Sequence, residues 1–158
     1  PEIGISALGT TLRDAGSQAQ FAAVDKQLLL DCAAAALHGG AQHMVSVSSV
    51  GANPRSGNFY LRTKGEVEDA LGGMGFARLD LIRPGLLLGK RAGPLRLGER
   101  LGMLVAPVTN LLTLAPWDRY RAIRAARVAE AITRLTERDN PGIFIHHYRE
   151  IGRLTAAD

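Results

Sequence analysis

Apolar and polar positions along this chain form two alternating kinds of segment. Short runs in which most positions are apolar predict buried strands. Four such runs stand out, at Glu2–Leu8, His43–Val47, Ala77–Ile82 and Gly142–His146. Each ends in glycine, proline or polar residues, which are typical of the loops that follow strands.

Longer stretches with apolar residues at helical spacing predict helices at Lys26–His38, Tyr60–Leu71, Arg119–Arg138 and Tyr148–Leu154. Asp25 is suited to begin the first helix and Gly39 to end it. The polar stretch Asp14–Gln20 predicts a loop, and Pro107 predicts a break within the apolar stretch Leu101–Leu114. Because strands and helices alternate at this spacing, we predict an α/β protein with parallel strands and right-handed crossovers.

The stretch from Ser46 to Lys64 carries the residues best suited to chemistry. Ser48 and Ser49 follow a predicted strand, and a turn rich in Gly, Asn and Pro leads from them to a helix. Tyr60 and Lys64 lie four residues apart in that helix, so both side chains lie on one face. A lysine cation favours the phenolate form of a nearby tyrosine, the tyrosine exchanges a proton with a substrate oxygen, and a serine hydroxyl holds that oxygen. The arrangement is suited to carbonyl reduction.

A simpler interpretation of these residues stays open. Tyr60 fits an ordinary packing residue and Lys64 a solvated helix residue, because Tyr-x-x-x-Lys is a short pattern. The hydroxyls upstream favour the catalytic interpretation, and so does the scarcity of tyrosine, which occurs three times in the chain.

Four longer motifs surround these residues. They read L-G-T-T at Leu8–Thr11, S-S-V-G-A at Ser48–Ala52, N-F-Y-L-R-T-K-G-E-V-E at Asn58–Glu68 and R-P-G-L-L-L-G at Arg83–Gly89. Together with the Ser/Tyr/Lys set they resemble the atypical short-chain dehydrogenase/reductases, in particular the Tat-interacting protein oxidoreductase group and its bacterial relatives. The resemblance covers nearly the whole chain.

This resemblance implies a Rossmann-type doubly wound parallel sheet, of which the chain supplies the part from about the fourth strand onward. Residues 1–158 would then be one NAD(P)-binding domain, incomplete at its N-terminus, with a substrate-side helical region at 86–140. No glycine-rich turn follows a first strand, although a dinucleotide fold normally opens with one. Either the chain is the C-terminal part of a longer reductase, which we favour, or it is a short protein that has lost direct dinucleotide binding.

The resemblance also assigns roles to individual residues. Ser49, Tyr60 and Lys64 match the catalytic set, with Ser48 as the alternative serine because neighbouring residues of an extended chain face opposite sides. Tyr60 would be the acid or base, and Lys64 would bind the nicotinamide ribose. The residues expected to contact the cofactor are Leu8, Gly9, Thr10, Tyr60, Lys64, Pro84, Gly85, Leu86, Leu87 and Arg96.

These roles imply an oxidoreductase that transfers hydride between NADP(H) and a small carbonyl or alcohol substrate, with NAD as the alternative cofactor. The other class of function that we consider is a non-catalytic NADP(H)-binding redox sensor that acts through a protein partner. A homo-oligomer would also be compatible with the sequence. Fold alone does not decide between these functions.

Composition and the lack of certain segments argue against a membrane-spanning, secreted or disulfide-linked protein. With 158 residues, 46% of them hydrophobic and 22% charged, the chain predicts one soluble globular domain. No apolar run is long enough to span a bilayer and no signal peptide is apparent, so a cytoplasmic location is the default expectation. Cys32 is the single cysteine, which excludes an intrachain disulfide, and we expect it to be a buried small hydrophobe.

The net charge of +4 is concentrated between Lys90 and Arg138. Nucleic-acid binding is not expected, because no aromatic platform or known binding motif accompanies the arginines. A solvated helix face explains them better, and a phosphate-bearing ligand is the alternative for some of them. His146 and His147 would point to opposite faces of a strand, so we expect no metal site there.

Overall fold

A parallel sheet with helices on both faces forms the fold. The computed structural model describes residues 2–88 and 118–156. The strands are β1 (Ile3–Ser6), β2 (His43–Val47), β3 (Arg78–Ile82), β4 (Leu87–Leu88), β5 (Ile123–Arg124) and β6 (Gly142–His146). The helices are α1 (Leu12–Ala15), α2 (Gln18–Ala22), α3 (Leu29–His38), α4 (Phe59–Gly73), α5 (Ala125–Thr136) and α6 (Tyr148–Leu154). A π-helical segment (Ala23–Leu28) joins α2 to α3, and a 3₁₀ turn (Asp118–Tyr120) precedes β5.

The main sheet has the order β1-β2-β3-β6, and every pairing in it is parallel. Its register places Ile5, Val45, Asp80 and Phe144 in one row across the sheet. A second, two-stranded parallel sheet pairs β4 with β5. The prediction of a Rossmann-type α/β fold is confirmed, and the bounds of β2 and β6 are those predicted.

Each face of the sheet has its own apolar core. Alternate residues of a strand point to opposite faces, so Met44 packs on one side and Val45 on the other. The first core contains Leu29, Ala33, Met44, Val67, Leu71, Leu79 and Leu81, from α3, α4 and the sheet. The second contains Val45, Ile82, Ile123, Val128, Ala131, Leu135 and Ile151, under α5 and α6.

The N-terminal region is more helical than predicted. The stretch Asp14–Gln20, expected as a loop, contains the end of α1 and the start of α2. Thr11 caps α1 by accepting the backbone N–H of Asp14, and Ser17 caps α2 by accepting that of Gln20. The helical stretch therefore begins after Ser17 and not at Asp25, which lies buried inside the π-helical segment.

Two further expectations about helices are corrected. The helix predicted at Arg119–Arg138 begins at Ala125, because Ile123 and Arg124 pair with β4 instead. Cys32 is exposed on α3 and not buried, since that helix turns only one side to the core. The predicted broken helix Leu101–Leu114 and most of the proposed 86–140 region lie outside the described residues.

Within residues 2–88 and 118–156, no helix combines the length and apolar character that a membrane crossing requires.

Asn58 sets the start of α4, the helix that carries Tyr60 and Lys64. Its Oδ1 accepts the backbone N–H of Leu61 at 3.1 Å. We expect Asn58→Ala to lower the free energy of unfolding by about 1 kcal/mol, because an alanine leaves that N–H without its cap. Urea denaturation followed by circular dichroism measures the loss. Asn58→Asp keeps the acceptor and should be nearly neutral, so equal stability of the Ala and Asp variants would contradict this role.

Candidate active site

A cleft of about 450 Å³ lies where β1 and β2 end. In open α/β sheets ligands bind in the crevice outside the carboxyl ends of the strands. One wall is the loop from Ala7 to Thr11, which follows β1, and another is Val47 and Ser48 at the end of β2. Tyr60 and Lys64 reach the cleft from α4. Most polar groups of the cleft therefore come from the segments after β1 and β2 and from one face of α4.

Tyr60 and Lys64 lie on one face of α4, as their spacing predicts. Lys64 Nζ is 6.0 Å from the centroid of the Tyr60 ring. The ring of Phe21, which is fully buried, packs against that of Tyr60 with 5.7 Å between centroids. Lys64 is itself 4% exposed, so its ammonium is held inside the protein and not in solvent. The positions of the phenol and of the ammonium are therefore set by buried neighbours.

The two serines after β2 differ in their surroundings. Ser48 lines the cleft, and its buried Oγ has no hydrogen-bond partner within the described part of the chain. Ser49 is not among the residues that line the cleft, and its Oγ donates to the carbonyl oxygen of Val50 at 3.3 Å. The extended backbone turns neighbouring side chains to opposite sides. Ser48, the alternative serine, thus shares the cleft with Tyr60 and Lys64, whereas Ser49 does not line it.

The residues expected to contact a cofactor fall into two groups. Leu8, Gly9, Thr10 and Leu87 line the cleft. Pro84, Gly85 and Leu86 do not line it and instead make backbone contacts: Pro84 O accepts the Val50 N–H, and Leu86 O accepts the Ile123 N–H. A Cβ at Gly85 would come within 2.5 Å of Arg121 O, so this glycine permits a close chain crossing. Arg96 lies outside the described residues.

Asp25, which the sequence pattern assigned to a helix start, is a cleft residue. Its carboxylate is fully buried, and Oδ1 forms a close ion pair with Lys64 Nζ at 2.7 Å, although the angle at this contact is not that of a hydrogen bond. Its Oδ2 accepts the backbone N–H of Thr10 at 2.8 Å. The sequence signal for this role was weak, because an acid ahead of an apolar stretch is also typical of a helix N-terminus.

A second buried polar cluster surrounds Asp80 in β3, on the face that packs against α5. Arg78 binds both carboxylate oxygens, at 2.6 and 2.9 Å. His43 Nε2 lies 2.7 Å from Oδ2, and His146 Nε2 lies 2.6 Å from Oδ1. Burial alone raises the pKa of Asp80, but the hydrogen bonds from His146, Arg78 and His43 and the charge of Arg78 outweigh it and lower the pKa below its ordinary value. His146 is thus a partner of Asp80.

The four-stranded parallel sheet and the cleft at its edge define a Rossmann-type α/β protein. UDP-glucose 4-epimerase from Thermus thermophilus, solved in complex with NAD, superposes with a TM-score of 0.62 at 19% identity, over 96% of this chain and 60% of that one. UDP-N-acetylglucosamine 4-epimerase from Bacillus cereus gives a TM-score of 0.61 at 14% identity, over 92% and 58%. At these identities the superpositions show a shared fold.

Sequence comparison gives nearer relatives. Protein FMP52, mitochondrial, from Debaryomyces hansenii is 46% identical over 54% of this chain and 38% of its own length. The protein of the same name from Candida albicans is 38% identical over 69% of this chain and 48% of its own. Protein HTATIP2 from Rattus norvegicus is 42% identical over 55% and 36%. These matches confirm the resemblance to the atypical short-chain dehydrogenase/reductases.

The same relatives bear on the extent of the chain and on its location. The matched part of the chain spans less than half the length of each of these three proteins. The expected cytoplasmic location is wrong by this comparison, because the fungal relatives are mitochondrial by name. No family model matches the chain.

Proposed function

We propose that this chain carries the catalytic side of a nicotinamide-dependent oxidoreductase that interconverts a carbonyl compound and an alcohol. The observation that carries this proposal is the convergence of Ser48, Tyr60 and Lys64 on one cleft at the carboxyl edge of the sheet. Three different polar groups, from a strand end and a helix face, meet where this fold binds ligands. NADP(H) is the proposed cofactor and NAD(H) the alternative.

The residues present fit a nicotinamide cofactor. Ser48 Oγ is buried on the cleft wall and has no protein partner among the described residues, so a bound group can supply one. A Cβ on Gly9 would lie 3.5 Å from Asp25 Oδ1 and 3.9 Å from Lys64 Nζ, so the loop passes close to the buried ion pair. Lys64 would hold the ribose hydroxyls, while Leu8, Thr10 and Leu87 would form the walls around the ring.

Each side chain then has a defined task in reduction. A bound nicotinamide cofactor would supply the hydride that the carbonyl carbon of the substrate receives. Tyr60 donates its phenolic proton to the carbonyl oxygen, which becomes the alcohol, and is left as a phenolate. Ser48 donates a hydrogen bond to the same oxygen and holds it beside Tyr60. The ammonium of Lys64 stabilises the negative charge that Tyr60 acquires, and oxidation of an alcohol reverses each transfer.

Replacing Tyr60 with phenylalanine tests this proposal directly. We expect Tyr60→Phe to reduce kcat by about 100-fold or more, the usual range for loss of a general acid, because the ring remains but the proton donor is gone. NADPH affinity, measured by nicotinamide fluorescence, should stay within about threefold, since the ring still packs on Phe21. Turnover is measured as NADPH oxidation with a panel of aldehydes, ketones and quinones.

Tyr148→Phe is the matched control, because Tyr148 packs against the core under α5 and is absent from the cleft lining. It should leave both turnover and NADPH affinity unchanged. Turnover by Tyr60→Phe equal to that of the wild-type protein would contradict the proposed chemistry. Saturable NADPH binding without turnover on any substrate would favour the redox-sensor function instead, and absence of binding to NADPH and NADH would remove both.

A further inference from the structure

Asp25 is a buried acid inside the cleft that the proposed Ser48, Tyr60 and Lys64 chemistry does not use. Its side chain is 0% exposed, and that of Lys64 is 5% exposed. Removing two charges from water carries a large free-energy cost, which their mutual attraction offsets only when the geometry is good. A pair this deeply buried is therefore a poor means of stabilising the fold, which suggests that its position serves the site.

The chain holds Asp25 in an unusual backbone geometry. Ala23–Leu28 is π-helical, with regular α-helix on both sides. A widened turn of this kind is rare and is found frequently at functional sites. Asp25 is the buried residue of this segment, and from it one oxygen reaches Lys64 in α4 and the other reaches the loop after β1. One carboxylate thus joins three separate elements of the cleft wall.

A neighbouring ion pair joins the same two elements, the π-helical segment and α4, and its charges are exposed. Lys26, the next residue of the π-helical segment, pairs with Glu66 of α4 at 2.8 Å. Both side chains of that pair are more than a third exposed, and neither lines the cleft. Exposed pairs of this kind contribute little to stability. The two pairs therefore differ in burial and in access to the cleft, and not in which elements they connect.

We propose that Asp25 is a positioning residue that fixes the Lys64 ammonium and the Gly9–Thr10 loop in the geometry that receives the nicotinamide ribose. The inference rests on the proposed function and deepens it. Because one oxygen pairs with Lys64 and the other with the loop, Asp25 holds Lys64 on the cleft wall before a cofactor binds. The Lys64 side chain then loses less conformational entropy when the cofactor binds, which is the usual gain from preorganisation.

A double-mutant cycle on the purified protein tests this proposal. Asp25→Asn retains an oxygen for the Thr10 N–H but turns a donor toward the Lys64 ammonium, and Lys64→Met removes the cation. NADPH dissociation constants are measured for the wild-type protein, both single variants and the double variant, together with their thermal unfolding without cofactor. Glu66→Gln, which disrupts the exposed Lys26 pair, is the matched control.

We expect each single variant to bind NADPH at least about tenfold more weakly than the wild-type protein. In the Lys64→Met background, adding Asp25→Asn should change the dissociation constant by less than about twofold, because Asp25 acts through Lys64. The double variant should unfold at a higher temperature than Asp25→Asn alone, since no lone buried charge remains in it. Glu66→Gln should bind NADPH within about twofold of the wild-type protein.

Asp25→Asn binding NADPH as tightly as the wild-type protein would overturn the proposal. So would an equal tenfold loss from Asp25→Asn with and without Lys64, since Asp25 would then act independently. If Asp25→Asn does not fold, a tenfold loss of affinity on adding Asp25→Asn to Lys64→Met still overturns the proposal, because Asp25 would then act without Lys64. Failure of the proposed function gives different results. If the wild-type protein binds NADPH without turnover, the proposed catalysis is wrong but the positioning role of Asp25 is still tested by the same cycle. If the wild-type protein binds neither NADPH nor NADH, the positioning role is wrong as well.

Discussion

Replacing Asp80 with alanine should lower the free energy of unfolding by about 3–5 kcal/mol, the range for breaking a buried ion pair by removing one partner. The carboxylate is fully buried and holds Arg78 through both of its oxygens, with His43 and His146 as further partners. Alanine would leave the Arg78 guanidinium, which is 4% exposed, without its counter-charge. Urea denaturation at pH 7, followed by circular dichroism, measures the loss.

Asp69→Ala provides the comparison for this variant. Asp69 is an exposed acid in α4, and surface substitutions of that kind usually stay within about 0.5 kcal/mol. Equal midpoints for the two variants would show that the Asp80 cluster contributes nothing measurable to stability.

The same cluster gives the protein a defined response to acid. Because the pKa of Asp80 is lower in the folded protein than its ordinary value, its charged form stabilises the fold above the ordinary pKa of an aspartate. That contribution is lost as the pH falls through the lowered pKa. We therefore expect the difference in stability between wild-type protein and Asp80→Ala to be large at pH 7 and to shrink in strong acid.

Gly65→Ala should destabilise the protein by roughly 2–3 kcal/mol, the upper part of the usual range for overpacking. A Cβ at this position would lie 2.2 Å from Pro54 N and 2.3 Å from Asn53 C. Both are backbone atoms of the loop between β2 and α4, so no side chain can rotate away and the loop itself must move. In an open helix the same substitution would gain up to about 1 kcal/mol from helix propensity. Thermal and urea unfolding measure the net effect.

Gly73→Ala is the matched control, because Gly73 lies in the same helix and a Cβ there would meet nothing within 4 Å. It should be neutral or slightly stabilising. Gly65→Ala behaving like Gly73→Ala would mean that the loop yields without cost. Because that loop leads from Ser48 to Tyr60, Gly65→Ala should also weaken NADPH binding when the proposed site is correct.

The strands of the main sheet could be predicted from the sequence because their signals are local. His43–Val47 is buried on both sides, as a strand covered by helices on both faces must be. Two serines directly follow β2, and Arg83 and Pro84 directly follow β3. The face shared by Tyr60 and Lys64 followed from helix geometry alone. The start of α5 could not be predicted in this way, because the pairing of Ile123 with Leu87 depends on residues far apart in the chain.

The candidate site could be predicted in part for the same physical reason. Spacing along one helix brought Tyr60 and Lys64 together, whereas the choice between Ser48 and Ser49 depends on how the chain leaves β2. Asp25 could not be assigned, because its partners Lys64 and Thr10 lie on other elements and its own sequence context is typical of a helix start. The role of each side chain in catalysis remains a prediction.

The order of strands in the sheet has a consequence for how the chain folds. β1, β2 and β3 follow one another in sequence and in space, so each of their pairings closes one crossover, whereas β6 joins β3 only after a much longer stretch. Closing a longer loop costs more chain entropy, and such contacts form more slowly. We expect β6 to dock last. Asp80 would then form its contacts with His43 and Arg78 early in folding. Its hydrogen bond with His146 would form last, when β6 pairs with β3 and completes the sheet.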